Sequence, residues 1–171
     1  MLVGGISGAG KTTLARAISR RFDLPYTELD GLFHGAGWTE RPTFAADVAE
    51  VVARERWVVD SDGYSAVRDV MWDRADTLIW LDLPRWQVMS RVLRRSVWRG
   101  ALRAELWNGN REGFGAWKDS GHPVRWAWTQ HGARRANIGG RLADPRWAHL
   151  AVVHLRSARE ARLWSARTLR G

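Results

Sequence analysis

Apolar positions recur along the chain in short blocks that switch between two periods. Residues 2–4 form a short apolar run, read as a buried first strand. Over residues 11–22, Leu14, Ala15 and Ile18 fall at helical spacing. Residues 25–29 predict a second strand ending at Asp30, followed by a glycine-rich loop over 31–42. From 44 to 54, Phe44, Val48, Val51 and Val52 share one helical face. Residues 57–60 predict a short strand followed by a turn at Asp62 and Gly63, and 77–83 predict a more apolar strand closed by Pro84. A basic helix is predicted over 85–98. Residues 100–123 are rich in glycine and poor in aliphatic side chains, which predicts a loop or lid. A helix over 124–135, a strand over 149–155 and a helix over 157–169 complete the series. Ser157 is placed as N-cap of the last helix, with Glu160 at the capping-box position. Strands alternating with helices predict an α/β fold: a five-stranded parallel sheet with helices on both faces.

Composition adds limits to this pattern. A length of 171 residues suits one domain spanning 1–171, with residues 100–123 as its lid. The chain has no cysteine, so disulfides and thiolate metal sites are excluded. No apolar run has the length of a membrane span, and the N-terminus lacks a signal-peptide pattern, so a cytoplasmic location is expected. The net charge of +9 is unevenly spread. Residues 1–83 carry 9 Lys+Arg and 13 Asp+Glu; residues 84–171 carry 18 and 5. The basic second half suggests an anionic partner, with nucleotide phosphates and nucleic acid as the two alternatives. Most of the 12 tryptophans fall at apolar positions and are expected to pack the core, although tryptophan interleaved with arginine also suits base stacking.

The most specific local signal is Gly5-Ile6-Ser7-Gly8-Ala9-Gly10-Lys11-Thr12, which satisfies G-x-x-x-x-G-K-[ST] between a strand and a helix. Glycines let backbone N–H groups turn toward phosphate oxygens, and the helix N-terminus adds partial positive charge. The expected nucleotide site therefore comprises Gly5, Ser7, Gly8, Ala9, Gly10, Lys11, Thr12 and Thr13. Lys11, one of only two lysines, is assigned to the β- and γ-phosphates of ATP, and the Thr12 hydroxyl to Mg²⁺. A carboxylate near the metal is also needed. Asp30, Asp60 and Asp82 lie at or near predicted strand ends, where a parallel sheet opens its ligand crevice, although each can instead cap a helix or turn.

Beyond this loop the chain resembles the adenylate-kinase-like P-loop proteins called DNA topology modulation proteins. The shared pieces are Leu29-Asp30-Gly31-Leu32-Phe33 with Gly37-Trp38, Trp57-Val58-Val59-Asp60, and Tyr64. They continue with Ala75-Asp76-Thr77, Leu81-Asp82-Leu83-Pro84-Arg85, Arg91-Val92-Leu93-Arg94-Arg95, Trp126-Ala127-Trp128 and Leu155-Arg156-Ser157. The resemblance implies the fold of nucleotide and small-metabolite kinases. It departs at Asp60-Ser61-Asp62-Gly63-Tyr64, which is one residue longer than the group's Asp-Gly-Asn-Tyr. That leaves Asp60 and Asp62 as alternatives for the metal, with Asp60 favoured because it directly ends the apolar run.

The resemblance further implies that a carboxylate at the position of Asp30 meets the acceptor. Trp38 and Arg68 are expected beside it, with Arg41 and His34 as weaker candidates. On the basic helix, Arg91, Arg94 and Arg95 share a face leading into the lid, where Arg99, Arg103 and Arg111 follow. Arg91 and Arg95 are expected to contact phosphate, and Arg134 and Arg135 form a second candidate pair. The expected activity is ATP- and Mg²⁺-dependent phosphotransfer to a small acceptor, with Lys11, Asp30, Arg91 and Arg95 as its catalytic set. The alternatives are a nucleic-acid-binding NTPase and a nucleotide-sensing module.

Overall fold

The structure is a computed structural model and describes residues 1–102 and 123–169. Five strands form one parallel sheet: β1 (Leu2–Gly5), β2 (Tyr26–Thr27), β3 (Val58–Val59), β4 (Thr77–Leu81) and β5 (Ala151–Leu155). Their spatial order is β2-β3-β1-β4-β5. The expected α/β fold with a five-stranded parallel sheet is therefore present. Among the described residues seven α-helices surround it: α1 (Lys11–Phe22), α2 (Leu29–Phe33), α3 (Phe44–Ala53), α4 (Arg68–Arg74), α5 (Arg85–Leu102), α6 (Pro123–Leu142) and α7 (Ala158–Thr168).

Alternation along the strands divides the interior in two. Leu2, Val59, Leu78 and Trp80 face one side and pack with Phe44, Val48 and Val52 of α3, Met71 and Trp72 of α4, and Ile138 of α6. Val3, Val58, Ile79 and Leu81 face the other and pack with Ala15 and Ile18 of α1 and Val88 and Val92 of α5. Period-two strands between period-3.6 helices produce this sandwich, because each element has an apolar face to bury. Ser157 caps α7 as expected: its Oγ accepts from the Glu160 N–H at 3.1 Å. The return bond is donated by the Arg156 N–H, one residue before the cap, to Glu160 Oε2 at 2.8 Å.

The predicted element boundaries shift in three places. The second strand stops at Thr27, and Asp30 lies in the first turn of α2 rather than at a strand end. The Leu29 N–H leaves the ladder and donates to Asp60 Oδ1 at 3.3 Å, and the His34 N–H closes onto the Asp30 carbonyl. Leu29 lies in the core and the partly buried Leu32 and Phe33 pack against it, at the helical spacing that the glycine-rich reading overlooked. Helix α5 continues through Leu102, and α6 begins at Pro123 and runs seven residues past Arg135 to Leu142. The ends of the expected lid are thus helical, and the remainder, with Arg103 and Arg111, lies outside the described residues. The extension of α6 crosses Gly139 and Gly140, poor helix formers, because it carries Ile138 fully into the core. Among the described residues no helix is long and apolar enough to cross a membrane.

Candidate active site

The turn between β1 and α1 is set by close packing. Gly5 has φ +135°, and a Cβ there would stand 2.6 Å from the Leu81 carbonyl oxygen of the neighbouring strand. Gly8 has φ +84°, and a Cβ there would meet Val92 Cγ2 at 2.3 Å. Glycine at these two positions therefore lets the loop lie against β4 and α5, a role beyond that of freeing amides for phosphate. The Ala9 N–H closes the turn onto the Ile6 carbonyl at 3.1 Å, so Ala9 contributes shape to the loop rather than a free donor.

Lys11 opens α1, and its Nζ donates to the Ile6 carbonyl at 3.2 Å. Burial pulls its pKa below the usual lysine value, opposed by the nearby carboxylates of Asp30, Asp62 and Asp60. The next residue, Thr12, donates its hydroxyl to Asp60 Oδ2 at 2.6 Å. Arg91 and Arg95 descend from α5 onto the loop: Arg91 Nη1 donates to the Ala9 carbonyl at 2.9 Å, and Arg95 Nη2 to Ser7 Oγ at 3.0 Å. These residues share one cleft of about 360 Å³, lined also by Gly8, Gly10, Thr13, Arg16, Glu28 and Asp30. The lining mixes both signs of charge: Lys11, Arg91 and Arg95 are cationic. Glu28, Asp30 and Asp60 supply carboxylates to the same lining, and Arg16 pairs with Glu28 at 3.1 Å.

The four carboxylates singled out in the sequence have different surroundings. Asp60 accepts from Thr12, from the Tyr26 hydroxyl at 2.9 Å and from the Leu29 N–H. Asp30 accepts at Oδ1 from the Tyr64 hydroxyl at 2.7 Å and lines the cleft. Asp62 is fully buried beside Arg134 Nη2 at 3.3 Å, although neither of its oxygens gains a well-formed hydrogen bond. Asp82 is taken up by Arg135 at 3.1 Å and His154 at 2.9 Å, with His154 stacked on Trp80. The cleft thus receives Asp60 and Asp30, while Asp62 and Asp82 tie the sheet to α6.

Two expected acceptor residues lie outside this cleft lining. Arg68 donates from both Nε and Nη2 to the Gly63 carbonyl, at 3.1 and 3.0 Å, which braces the turn after β3. Trp38 is 41% exposed and meets His34 edge-on at 5.1 Å. Arg41 is paired with Asp47 at 3.0 Å. Sequence reasoning overlooked Tyr26, Glu28 and Arg16. A usable signal was available for the first: the chain has only two tyrosines. Burial, followed by the adjacent carboxylate, raises the pKa of each phenol above its usual value, so both remain protonated donors.

A divalent cation fits the Thr12–Asp60 corner. A hydroxyl and a carboxylate, both hard oxygen donors, meet beside the β1–α1 loop, and Mg²⁺ is commonly held by one or two carboxylates together with substrate phosphates. No cluster of three or more His, Asp or Glu suited to a metal occurs among the described residues.

No family model matches the chain, and no curated protein matches it. Two solved structures align over nearly its full length. A gluconokinase from Sinorhizobium meliloti is 19% identical, with 99% of this chain and 92% of that chain covered at a TM-score of 0.49. An unliganded sugar kinase from a Janibacter species is also 19% identical, with 98% and 91% covered at a TM-score of 0.51. The second likeness shows that this chain has the fold of that kinase. Neither is described as a DNA topology modulation protein, so that finer resemblance rests on the sequence motifs alone.

Proposed function

We propose that this chain is an ATP- and Mg²⁺-dependent kinase that phosphorylates a hydroxyl group of a small metabolite. The observation that carries the reading is the single cleft in which a P-loop lysine, two arginines and two differently engaged carboxylates converge. Lys11 and the loop amides hold the β- and γ-phosphates. Thr12 and Asp60 would hold Mg²⁺, which neutralises phosphate charge when bound. Arg91 and Arg95, already resting on the loop, stabilise charge on the transferred group and exclude water. Asp30 accepts a hydrogen bond from the acceptor hydroxyl, aligns it for in-line attack and receives its proton. The acceptor's new O–P bond replaces the bond from the γ-phosphorus to the bridging oxygen, and ADP leaves.

An uncharged hydroxylated acceptor is favoured over a nucleoside monophosphate. The two arginines suited to gripping an acceptor phosphate, Arg41 and Arg68, are engaged with Asp47 and Gly63, and neither lines the cleft, where Asp30 sits with Glu28 and Asp60. The fold shared with a sugar kinase supports the same class. The test is an ADP-release screen across hydroxylated metabolites, nucleosides and nucleoside monophosphates, followed by Asp30→Asn with the acceptor found. Turnover should fall by roughly two orders of magnitude or more, the scale of a positioned acid–base group, with ATP affinity little changed by calorimetry. Loss of ATP or metal binding together with turnover would place Asp30 in the nucleotide site and refute the assignment.

A nucleic-acid-stimulated NTPase is the second reading. It is favoured by the solvent-exposed Trp86 and Trp98 on α5, a helix without acidic residues. Stimulation of ATP hydrolysis by single-stranded DNA or RNA, falling steeply with salt, distinguishes it.

A further inference from the structure

We propose that the chain's two tyrosines are positioning residues with separate tasks, Tyr26 holding the metal carboxylate Asp60 and Tyr64 holding the acceptor carboxylate Asp30. The inference rests on the phosphotransfer reading above and assigns two residues that the reading leaves unused. The contacts cross between neighbouring segments. Tyr26, in β2, reaches Asp60 at the end of β3, and Tyr64, in the loop beyond β3, reaches back to Asp30 in α2. Both tyrosines in a chain of 171 residues donate to carboxylates of one cleft.

Each phenol is held in place through its ring. Tyr64 stacks on Phe33 with centroids 4.1 Å apart and meets Phe44 edge-on at 5.5 Å. The Arg16 guanidinium lies 5.5 Å from the Tyr26 ring centroid. The donated hydrogen bonds then select which carboxylate oxygen faces the ligand. At Asp30, Tyr64 occupies Oδ1 of a carboxylate that lines the cleft. At Asp60, Tyr26 shares Oδ2 with Thr12, so the carboxylate keeps a fixed donor that does not depend on the threonine. Burial and the adjacent carboxylate keep the Tyr64 phenol protonated, so its contact is not lost by ionisation near neutral pH. A partly buried tyrosine satisfying its hydroxyl is common. What sets this pair apart is that each partner is a carboxylate the chemistry needs and that each has a different task.

The test uses Tyr26→Phe and Tyr64→Phe, which keep both rings and remove only the hydroxyls. The first measurement is Mn²⁺ binding to the protein with a non-hydrolysable ATP analogue, read by electron paramagnetic resonance. Tyr26→Phe should weaken it about tenfold or more, the usual effect of losing a group that orients a metal ligand. Tyr64→Phe should leave it unchanged. The second measurement is ATP turnover. Tyr64→Phe should lower kcat by roughly tenfold, as for a lost hydrogen bond to a charged group, at unchanged KM for ATP. Equal effects of the two variants on both readouts, or no effect on either, would overturn the proposal. A third measurement reads the Tyr64 contact without activity. In the Tyr26→Phe background Tyr64 is the sole tyrosine, so tyrosinate absorbance reports it alone. Adding Asp30→Asn should make it ionise at lower pH, and an unmoved titration would overturn the contact. Unaltered protein that binds Mn²⁺ and nucleotide but turns nothing over would end the kinase reading and, with it, the Tyr64 assignment. The Mn²⁺ arm would still decide Tyr26.

Discussion

Replacing Gly5 by alanine tests the claim that the first residue of the phosphate loop is dictated by packing. The new Cβ would stand 2.6 Å from the Leu81 carbonyl oxygen and 3.3 Å from Leu81 Cβ. That oxygen belongs to backbone, and β4 is fixed on both sides, paired with β1 through Gly5–Leu81 and with β5 through Leu81–Leu155. No rotamer change can relieve the contact; a strand must move. Backbone strain at φ +135° costs about 1–3 kcal/mol. Overpacking adds about 1–3 kcal/mol. The combined loss, roughly 2–6 kcal/mol, is a large share of the approximately 5–15 kcal/mol that stabilises a domain. Gly37→Ala is the control: it has φ +66° with nothing within 4 Å of a new Cβ, so only strain of about 1–2 kcal/mol applies. Urea unfolding followed by tryptophan fluorescence gives both free energies by linear extrapolation. If Gly5→Ala proves no less stable than Gly37→Ala, the packing argument is wrong.

The other predictions concern charge. Lys11→Ala should abolish ATP turnover while leaving the far-ultraviolet dichroism unchanged; undiminished turnover would remove Lys11 from the phosphate site. Asp60→Asn should raise the Mg²⁺ concentration needed for half-maximal turnover, because an amide is a poorer ligand for a hard cation. Asp62→Asn should instead lower stability, on the order of 3–5 kcal/mol, by leaving Arg134 without its buried partner; the reverse order in a Mg²⁺ titration and urea melts would exchange the two roles. A hydrogen bond from Arg141 holds the Asp69 carboxyl below its usual pKa. Its contribution is therefore present above the ordinary carboxylate range and lost as pH falls through the depressed value. Asp69 is half exposed, so the effect is small, about 1 kcal/mol at most. Asp69→Asn should flatten the acid limb of stability against pH, and an unchanged limb would show that the pair is screened.

What the chain declares by itself is local. The glycine-rich turn between β1 and α1, helix α1 from Lys11 to Phe22 and the strand cores at Val58–Val59 and Thr77–Leu81 follow from spacings of a few residues, where backbone geometry links sequence to structure directly. Ser157 and Glu160 mark the start of α7 for the same reason. The spacing of Leu29, Leu32 and Phe33 also encodes α2, although the flanking glycines suggest a loop. Tertiary structure decided the rest. Four aspartates with similar local settings separate into one bonded to Thr12, one bonded to Tyr64 and two buried ties to α6, because their partners come from distant segments. Tyr26 and Asp60 are 34 residues apart, as are Asp30 and Tyr64, and no short-range pattern links such positions. Helix α6 crosses two glycines because burying Ile138 outweighs their poor helix propensity, a balance set by the groove into which the helix packs.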